Sequence, residues 1–246
     1  MGRADDVRAW ARGRKADLIH RSTDRIRAAA AIGPDCARGR RFRAFGEASC
    51  IAYPWATIFG EAHIEIGTGT MIGSFNTLSA GFAPGHDFGD RCVISIGDRV
   101  VLGRGSHIVG HDRIVVEDDV YTGPYVYITD QNHTYRDPEL PIGRQWPTDD
   151  PVRIGAGSWL GTNVVVLPGA DIGRNVVVAA GSIVRGEVPD HSVIAGSPAK
   201  IIRRFDPDLG WQPPLRSSSD DESTDLAELA GLAEALGVRP DPRGRF

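Results

Sequence analysis

A histidine at the edge of a break in a regular pattern is the residue of this chain best suited to acid–base chemistry. His133 directly precedes residues 134–151, which lack the repeat found on both sides of them. A free imidazole has a pKa of about 6.5, so it can accept a proton at neutral pH, and a positioned base typically accelerates a reaction by about 10²–10⁴-fold. The alternative is a polar residue that only begins a loop, but the position beside the break favours a base.

The repeat around this histidine has a period of six residues. Strand side chains alternate between two faces, so a large aliphatic residue and the small residue two places before it point into one interior. Glycine and asparagine follow at the corners, where they tolerate left-handed backbone. Short sides joined by tight corners are therefore predicted. The recurring positions are Ile66, Ile72, Leu78, Ile96, Leu102, Ile108 and Ile114, then Val116, Thr122 and Ile128, and finally Ile154, Leu160, Val166, Ile172, Val178 and Val184.

Two segments interrupt this period, residues 79–95 and residues 134–151. Inserts in a solenoid form loops on one face, which is often the binding face. We therefore expect the functional residues near these two loops. His86, in the first loop, is interpreted as an ordinary loop residue in preference to a binding residue, and His63 has no candidate partner around it.

The two ends of the chain do not carry the repeat. Residues 5–32 are rich in Arg and Ala, with apolar residues at imperfect helical spacing, and predict one or two helices that cap the first coil. Residues 206–224 are rich in Pro, Ser and acidic residues and predict a linker, after which residues 226–236 predict a short helix. The expected domains are a helical cap region at 1–50, the repeat domain at 51–204, and a linker with a C-terminal helix at 205–246.

The composition of the chain argues against several classes of protein. Of its 246 residues, 41% are hydrophobic, and no run approaches the roughly 18 apolar residues of a membrane helix. The first residues lack the apolar stretch of a signal peptide, so a cytoplasmic protein is expected. A net charge of -4 argues against nucleic acid as a partner, and three irregularly spaced cysteines indicate thiols rather than disulfides.

Three motifs lie in and after the final repeats: VRIGAGSWLG at 152–161, VLPGA at 166–170 and IAGSPAK at 194–200. They resemble the hexapeptide-repeat O-acetyltransferases related to maltose and galactoside acetyltransferases. The resemblance is strong over 96–204 and weaker over 58–95. It implies a mainly β fold, a left-handed parallel β-helix in which three six-residue sides form one triangular coil. The handedness comes from the resemblance, because the period alone does not determine it.

The resemblance also implies direct acyl transfer. In that family a histidine just before a long loop removes the proton of an acceptor hydroxyl, which attacks the thioester of acetyl-CoA without an acyl-enzyme, and His133 occupies that place. A sugar or glycoconjugate acceptor is expected, and no metal is required. Either Asp130 or a backbone carbonyl could orient His133. The expected acceptor contacts are His111, Asp112, Asp130 and Asn132, although Asn132 is also a common turn former.

A homotrimer that binds acetyl-CoA in a groove between subunits is a further implication. The outward apolar residues Val165, Val177 and Ile183 give a physical reason for association. Small corner residues let the backbone approach the pantetheine arm, and arginine suits phosphate because it donates two bonds at once. Each contact has an alternative. The small residues could be required only by the turns of the coil, the basic residues could only be solvated, and the tryptophan could pack on a neighbouring coil. The expected cofactor contacts are Trp159, Gly161, Thr162, Ala179, Ala180, Arg185, Lys200 and Arg203.

Two other functions remain open. Gamma-class carbonic anhydrases share the solenoid and hold a metal through histidines, and His107 and His111 lie four residues apart. Zinc in such sites usually has three protein ligands, and with Ile108 inward, His107 points outward while His111 lies near a corner, so the two need not converge. The other possibility is a non-catalytic solenoid for binding or assembly, which leaves His133 and its long loop unexplained.

Overall fold

The computed structural model describes residues 3–214, in which one α-helix precedes a series of short strands. The helix, α1, is Arg3–Ala30, and 3-10 turns lie at Gly39–Arg41, Glu61–His63 and Ile142–Arg144. The predicted helix at 226–236 lies outside the described residues. The strands are β1 Ala44–Phe45, β2 Cys50–Ile51, β3 Ile58–Phe59, β4 Ile64–Ile66, β5 Met71–Ile72, β6 Thr77–Ala80, β7 Ile94–Ile96, β8 Val101–Leu102, β9 His107–Gly110, β10 Ile114–Val116, β11 Tyr121–Thr122, β12 Tyr127–Thr129, β13 Gln131–Asn132, β14 Thr148–Asp149, β15 Val152–Ile154, β16 Trp159–Leu160, β17 Val165–Val166, β18 Asp171–Ile172, β19 Val177–Val178, β20 Ile183–Val184, β21 Glu187–Val188, β22 Ser192–Gly196, β23 Ala199–Asp206 and β24 Gly210–Gln212.

The strands stack into three faces because the chain turns a corner after each short side. Face 1 contains β1, β4, β7, β10, β15, β18 and β21; face 2 contains β2, β5, β8, β11, β16, β19, β22, β23 and β24; face 3 contains β3, β6, β9, β12, β17 and β20. Neighbouring coils pair in parallel and in register, so Ile114 lies between Ile94 and Val152. This is the left-handed parallel β-helix that the sequence predicts.

The six-residue period defines the interior of the β-helix. The recurring aliphatic side chains are buried, and Ile154, Leu160 and Val166 have no exposed area. The small residues between them satisfy their own polar groups: the Ser158 hydroxyl donates to a backbone carbonyl at 2.9 Å and accepts a backbone N–H at 3.0 Å. The interior therefore contains a polar group at this position without the cost of an unpaired hydroxyl.

The N-terminal end of the β-helix differs from the prediction. Residues 3–30 form one helix, but Leu18, Ile19 and Ile26 are about 60–70% exposed, so the described side chains of α1 do not cap the first coil. Over residues 13–30, these three side chains among many Arg and Asp residues form no continuous apolar stripe that could be buried. The segment that follows covers the coil instead, because Ile32 pairs with β2 and is buried together with Phe42.

The β-helix also extends beyond the predicted bounds of 51–204. It begins at β1, and face 2 continues through β23 and β24, which pair antiparallel, to Gln212. The edge strand at this end, β24, has only three residues, which limits the length of edge that could pair with another chain. Within residues 3–214, the structure contains no helix that is both long and apolar enough to cross a bilayer.

Candidate active site

His133 faces a pocket at the corner where the strands of face 3 end. The pocket has a volume of about 440 Å³, and its position follows from the stacking of β12, β17 and β20 in register. Both His133 and Asn132 are exposed there. The imidazole that the sequence singles out as a base is therefore open to a small polar substrate. The lining residues are Tyr127, Thr129, Gln131, Asn132, His133, Leu167, Pro168 and Arg185.

The second insert, residues 134–151, leaves the β-helix through a short two-stranded ribbon made of β13 and β14. Gln131 pairs with Asp149 and Asn132 with Thr148 in this antiparallel ribbon. His133 directly follows β13, and the hydroxyl of the next residue, Thr134, donates to a carbonyl on the returning side of the insert at 2.9 Å. The position of His133 is thus set by the ribbon rather than by the coil itself.

Asp130 does not contact an acceptor, and that prediction is wrong. The side chain has no exposed area. Its Oδ1 accepts the backbone N–H of His111, and its Oδ2 accepts those of Asp112 and Arg113, each at 2.8 Å. Burial raises the pKa of the Asp130 carboxyl above its usual value, against the opposing effect of these three donors. Asp130 fixes the corner at 111–113 and so supports the site from inside the coil.

His111, another predicted acceptor contact, is also largely buried. Its side chain is only 8% exposed, its ring lies 4.0 Å from the ring of Phe82, and its Nδ1 lies 3.5 Å from Asp149 Oδ1. A ring packed between the two inserts leaves little surface for an acceptor. Asp112 is more accessible, but its Oδ1 already accepts a hydrogen bond from Arg91 Nη1 at 3.1 Å.

Four of the predicted cofactor residues lie at a different corner from His133. Gly161, Thr162, Ala179 and Ala180 occupy the corner between face 2 and face 3, and β17 separates this corner from the pocket along the chain. A Cβ on Gly161 would lie 2.6 Å from the backbone nitrogen of Ala180, so the two coils approach closely there. Thr162 and Ala179 are half-buried and Ala180 is exposed, which forms a ledge free of large side chains.

The remaining predicted cofactor residues are dispersed. Arg185 lines the pocket with His133, whereas Trp159 is 48% exposed on the outer side of face 2. Lys200 and Arg203 lie on β23, where Arg203 Nε donates to a backbone carbonyl at 2.8 Å and its guanidinium lies 5.7 Å from the ring of Trp211. A single protomer therefore brings Arg185, but not the other predicted cofactor residues, to His133.

Sequence reasoning missed several pocket residues, although a signal for them exists. Val166 pairs with Ile128 on one side and with Val184 on the other, so the residues after these three must meet at one corner. Those residues are Thr129 and Leu167, which were missed, and Arg185, which was predicted as a cofactor contact, and all three line the pocket.

The histidines of the metal alternative do not converge. His107 is half-buried on the outer side of face 3, and His111 packs against the first insert. Over the range 3–214, no three His, Cys, Asp or Glu side chains are grouped as metal ligands.

Similarity to known proteins is concentrated in the repeats. Residues 151–186 match the family described as bacterial transferase hexapeptide (six repeats). Rv3034c of Mycobacterium tuberculosis, which is named as an acetyltransferase, is 38% identical over 175 residues, or 71% of this chain and 51% of that protein. WbbJ of Escherichia coli, named for O-acetyl transfer in lipopolysaccharide biosynthesis, is 39% identical over 122 residues, or 47% of this chain and 62% of that protein. The chain thus spans about half the length of the first relative and less than two thirds of the second.

A solved structure shares the fold. AntD, an N-acyltransferase from Bacillus cereus in complex with dTDP and 3-hydroxybutyryl-CoA, has a TM-score of 0.55 to this chain, covering 81% of this chain and 94% of that one at 16% sequence identity. At this level of identity the likeness concerns the β-helix fold alone.

Proposed function

We propose that the β-helix of this chain transfers an acetyl group from acetyl-CoA to a hydroxyl of a sugar or glycoconjugate in the cytoplasm. The proposal rests first on the family, because this chain belongs to the hexapeptide-repeat acetyltransferases. The observation that carries the proposal is the exposure of His133 in a pocket that also contains Asn132 and Arg185. A hydroxyl acceptor is favoured over an amine because WbbJ, at 39% identity, is named for O-acetyl transfer.

In the proposed reaction His133 is the general base. Its imidazole takes the proton of the acceptor hydroxyl, the acceptor oxygen forms a bond to the acetyl carbonyl carbon, and the carbon–sulfur bond of the thioester breaks. The imidazolium then returns the proton to the departing thiolate, so His133 ends each cycle neutral. Asn132 lines the pocket beside His133, and we therefore propose it as an acceptor contact.

The residues that would hold acetyl-CoA fit its chemistry. The ledge of Thr162, Ala179 and Ala180 presents backbone groups that a pantetheine arm could reach, because large side chains do not cover it. Arg185 and Lys200 are exposed cations suited to phosphate groups. We keep these residues, with Trp159, Gly161 and Arg203, as proposed cofactor contacts.

A homotrimer is part of the proposal because two of the three outer faces carry apolar side chains. The outward row of face 2 runs in register through Met71, Val101, Tyr121, Trp159 and Val177. The outward row of face 3 contains the predicted Val165 and Ile183 in register with Tyr127, His107 and Thr77. Face 1 instead carries ion pairs. Such a trimer would bring the ledge of one copy towards the His133 pocket of the next, which a single protomer does not do.

Thiol release from acetyl-CoA tests the reaction class. Sugars, amino sugars and glycolipid head groups serve as acceptors for the natural protein, for His133→Ala and for His20→Ala, which removes an exposed histidine of α1. We expect hydroxyl-dependent release that His133→Ala lowers by about 10²-fold or more, with CoA binding retained and His20→Ala unchanged. Absence of CoA binding together with stoichiometric zinc would disprove the proposal and favour a metal enzyme.

A further inference from the structure

The first insert, residues 79–95, contributes no residue to the His133 pocket, but its rings form a continuous stack that reaches the second insert. His63 meets Phe88 edge-on, with ring centroids 5.3 Å apart. Phe88 lies on His86 at 4.2 Å, and His86 lies on Phe82 at 5.2 Å, both nearly parallel. Phe82 in turn lies 5.7 Å from the ring of Trp146 in the second insert. These five residues are called the aromatic stack.

The end of the stack at His63 is fixed to the β-helix. His63 is 4% exposed; its Nε2 accepts the backbone N–H of Phe88 at 3.3 Å, and its Nδ1 lies 3.0 Å from the carbonyl of Arg91. The tautomer that satisfies both contacts carries its proton on Nδ1 and donates to that carbonyl. Arg91 also lies 5.0 Å over the Phe88 ring and donates to Asp112. The first insert is thus held at several points, although the sequence analysis interprets His86 within it as an ordinary loop residue.

The other end of the stack contacts the element that carries the base. Phe82 packs on Trp146 and, at 4.0 Å, on His111, whose Nδ1 lies 3.5 Å from Asp149 Oδ1 at the end of β14. The Trp146 carbonyl accepts the hydroxyl hydrogen of Thr134, the residue after His133. Phe82 therefore contacts the second insert at Trp146, which is hydrogen-bonded to the residue after His133, and, through His111, at the base of the ribbon.

The ribbon needs support from outside. It consists of two pairs of residues, and an isolated two-stranded hairpin is marginal in water even when longer. Most of residues 134–149 are exposed, so the second insert contains little core of its own. From the first insert, the ring of Phe82 contacts it through the ring of Trp146, at 5.7 Å between centroids.

We propose that Phe82 is a positioning residue: through Trp146 and His111 it holds the ribbon so that His133 keeps one position at the pocket. The catalytic consequence rests on the proposed function, whereas the mechanical one does not. A displacement of about 1 Å at a reacting group can lower a rate by about 10²-fold. The role of the first insert is then to set the position of the base.

Hydrogen–deuterium exchange tests the mechanical part. In Phe82→Ala we expect the amides of residues 131–149 to exchange faster than in the natural protein, while Phe82→Tyr restores slow exchange. Trp146→Ala, which removes a ring that is 79% exposed, should have the same effect without disturbing the coil. Tyr135→Ala removes an equally exposed ring from the same insert but outside the stack, and should leave exchange in β14 unchanged. Unchanged exchange in both Phe82→Ala and Trp146→Ala overturns the proposal, whatever the activity.

The kinetic part separates positioning from substrate contact. We expect Phe82→Ala to lower kcat by about 10- to 100-fold with KM for acetyl-CoA and acceptor unchanged, and Phe82→Tyr to recover most of the rate. A rise in acceptor KM at unchanged kcat would make Phe82 a substrate contact and overturn the positioning role. If the natural protein releases no thiol, the proposed function fails, and the exchange data still decide the role of the stack.

Discussion

His63, His111 and His133 show how surroundings give one side chain different roles. His63 is buried with both ring nitrogens near polar partners, and His111 is buried against an aromatic ring. His133 alone among these three is exposed and faces the pocket at the corner after face 3. Proton exchange with a substrate requires access, so the buried pair is suited to holding loops and His133 to chemistry.

Asp130 leads to a prediction about stability. Replacing it with asparagine keeps its shape but leaves at least one of its two acceptor positions occupied by an N–H donor, which faces backbone N–H groups. We expect Asp130→Asn to lower the free energy of unfolding by about 2 kcal/mol, because hydrogen bonds to a charged acceptor contribute about 1.5–3 kcal/mol each and relief of the buried charge offsets part of the loss. Urea unfolding followed by circular dichroism measures the change.

The control for this change is Asp137→Asn. Asp137 accepts a backbone N–H at 2.9 Å in an exposed turn of the second insert, so its loss should stay within about 0.5 kcal/mol. Equal effects of the two substitutions would contradict the structural role of Asp130.

The sequence indicates some of these residue-scale features and not others. Asp130 lies two positions after the inward Ile128, so strand alternation predicts that it also points inward. The family resemblance instead led to its prediction as an acceptor contact. Thr129, Leu167 and Arg185 follow recurring positions and could be grouped by register alone. The contact between Phe82 and Trp146 could not be found, because it joins two non-periodic loops whose conformations no short pattern determines.

At the scale of elements, the corners fix how closely the coils stack. A Cβ on Gly155 would lie 2.5–2.7 Å from backbone atoms of Gly173 and Arg174 in the next coil. Gly155→Ala should therefore lower the free energy of unfolding by about 3 kcal/mol, because backbone atoms on both sides must shift. The matched control is Gly143→Ala in the second insert, where a Cβ meets nothing within 4 Å. A loss after Gly155→Ala no larger than that of the control would contradict close stacking at this corner.

The period of six predicts the strands well because burial acts at every coil, and each missing aliphatic residue would leave a cavity in the interior. The same reasoning does not extend to α1. Its composition predicts a helix, but whether a helix packs on its neighbour depends on a continuous apolar stripe, and Leu18, Ile19 and Ile26 do not form one large enough to be buried. The first coil is therefore covered by Ile32 and Phe42, which do not belong to the six-residue repeat.

At the scale of the whole molecule, the three faces differ in what they present to the surroundings. Face 1 carries Arg153, which pairs with Asp171 at 2.7 Å and with Glu117 at 2.9 Å, and such groups are well solvated. Face 2 instead exposes Met71 and Tyr121, at 56% and 55%. Contiguous exposed apolar rows of this kind are typical of surfaces that associate.

The proposed trimer makes face 2 the surface to change. Tyr121→Arg places a charge in the middle of the apolar row, next to Val101 and Trp159, where burial against another copy would cost several kcal/mol without a partner. We expect light scattering to give about three times the 26.5 kDa protomer mass for the natural protein and the protomer mass for this variant. Because the proposed CoA groove needs two copies, thiol release should be lost as well, while circular dichroism keeps the β-helix signal.

Tyr135→Arg, at an exposed ring of the second insert, is the control and should remain a trimer. A natural protein that is monomeric at assay concentrations and still transfers acetyl groups would contradict the shared groove and require the whole site to lie within one β-helix.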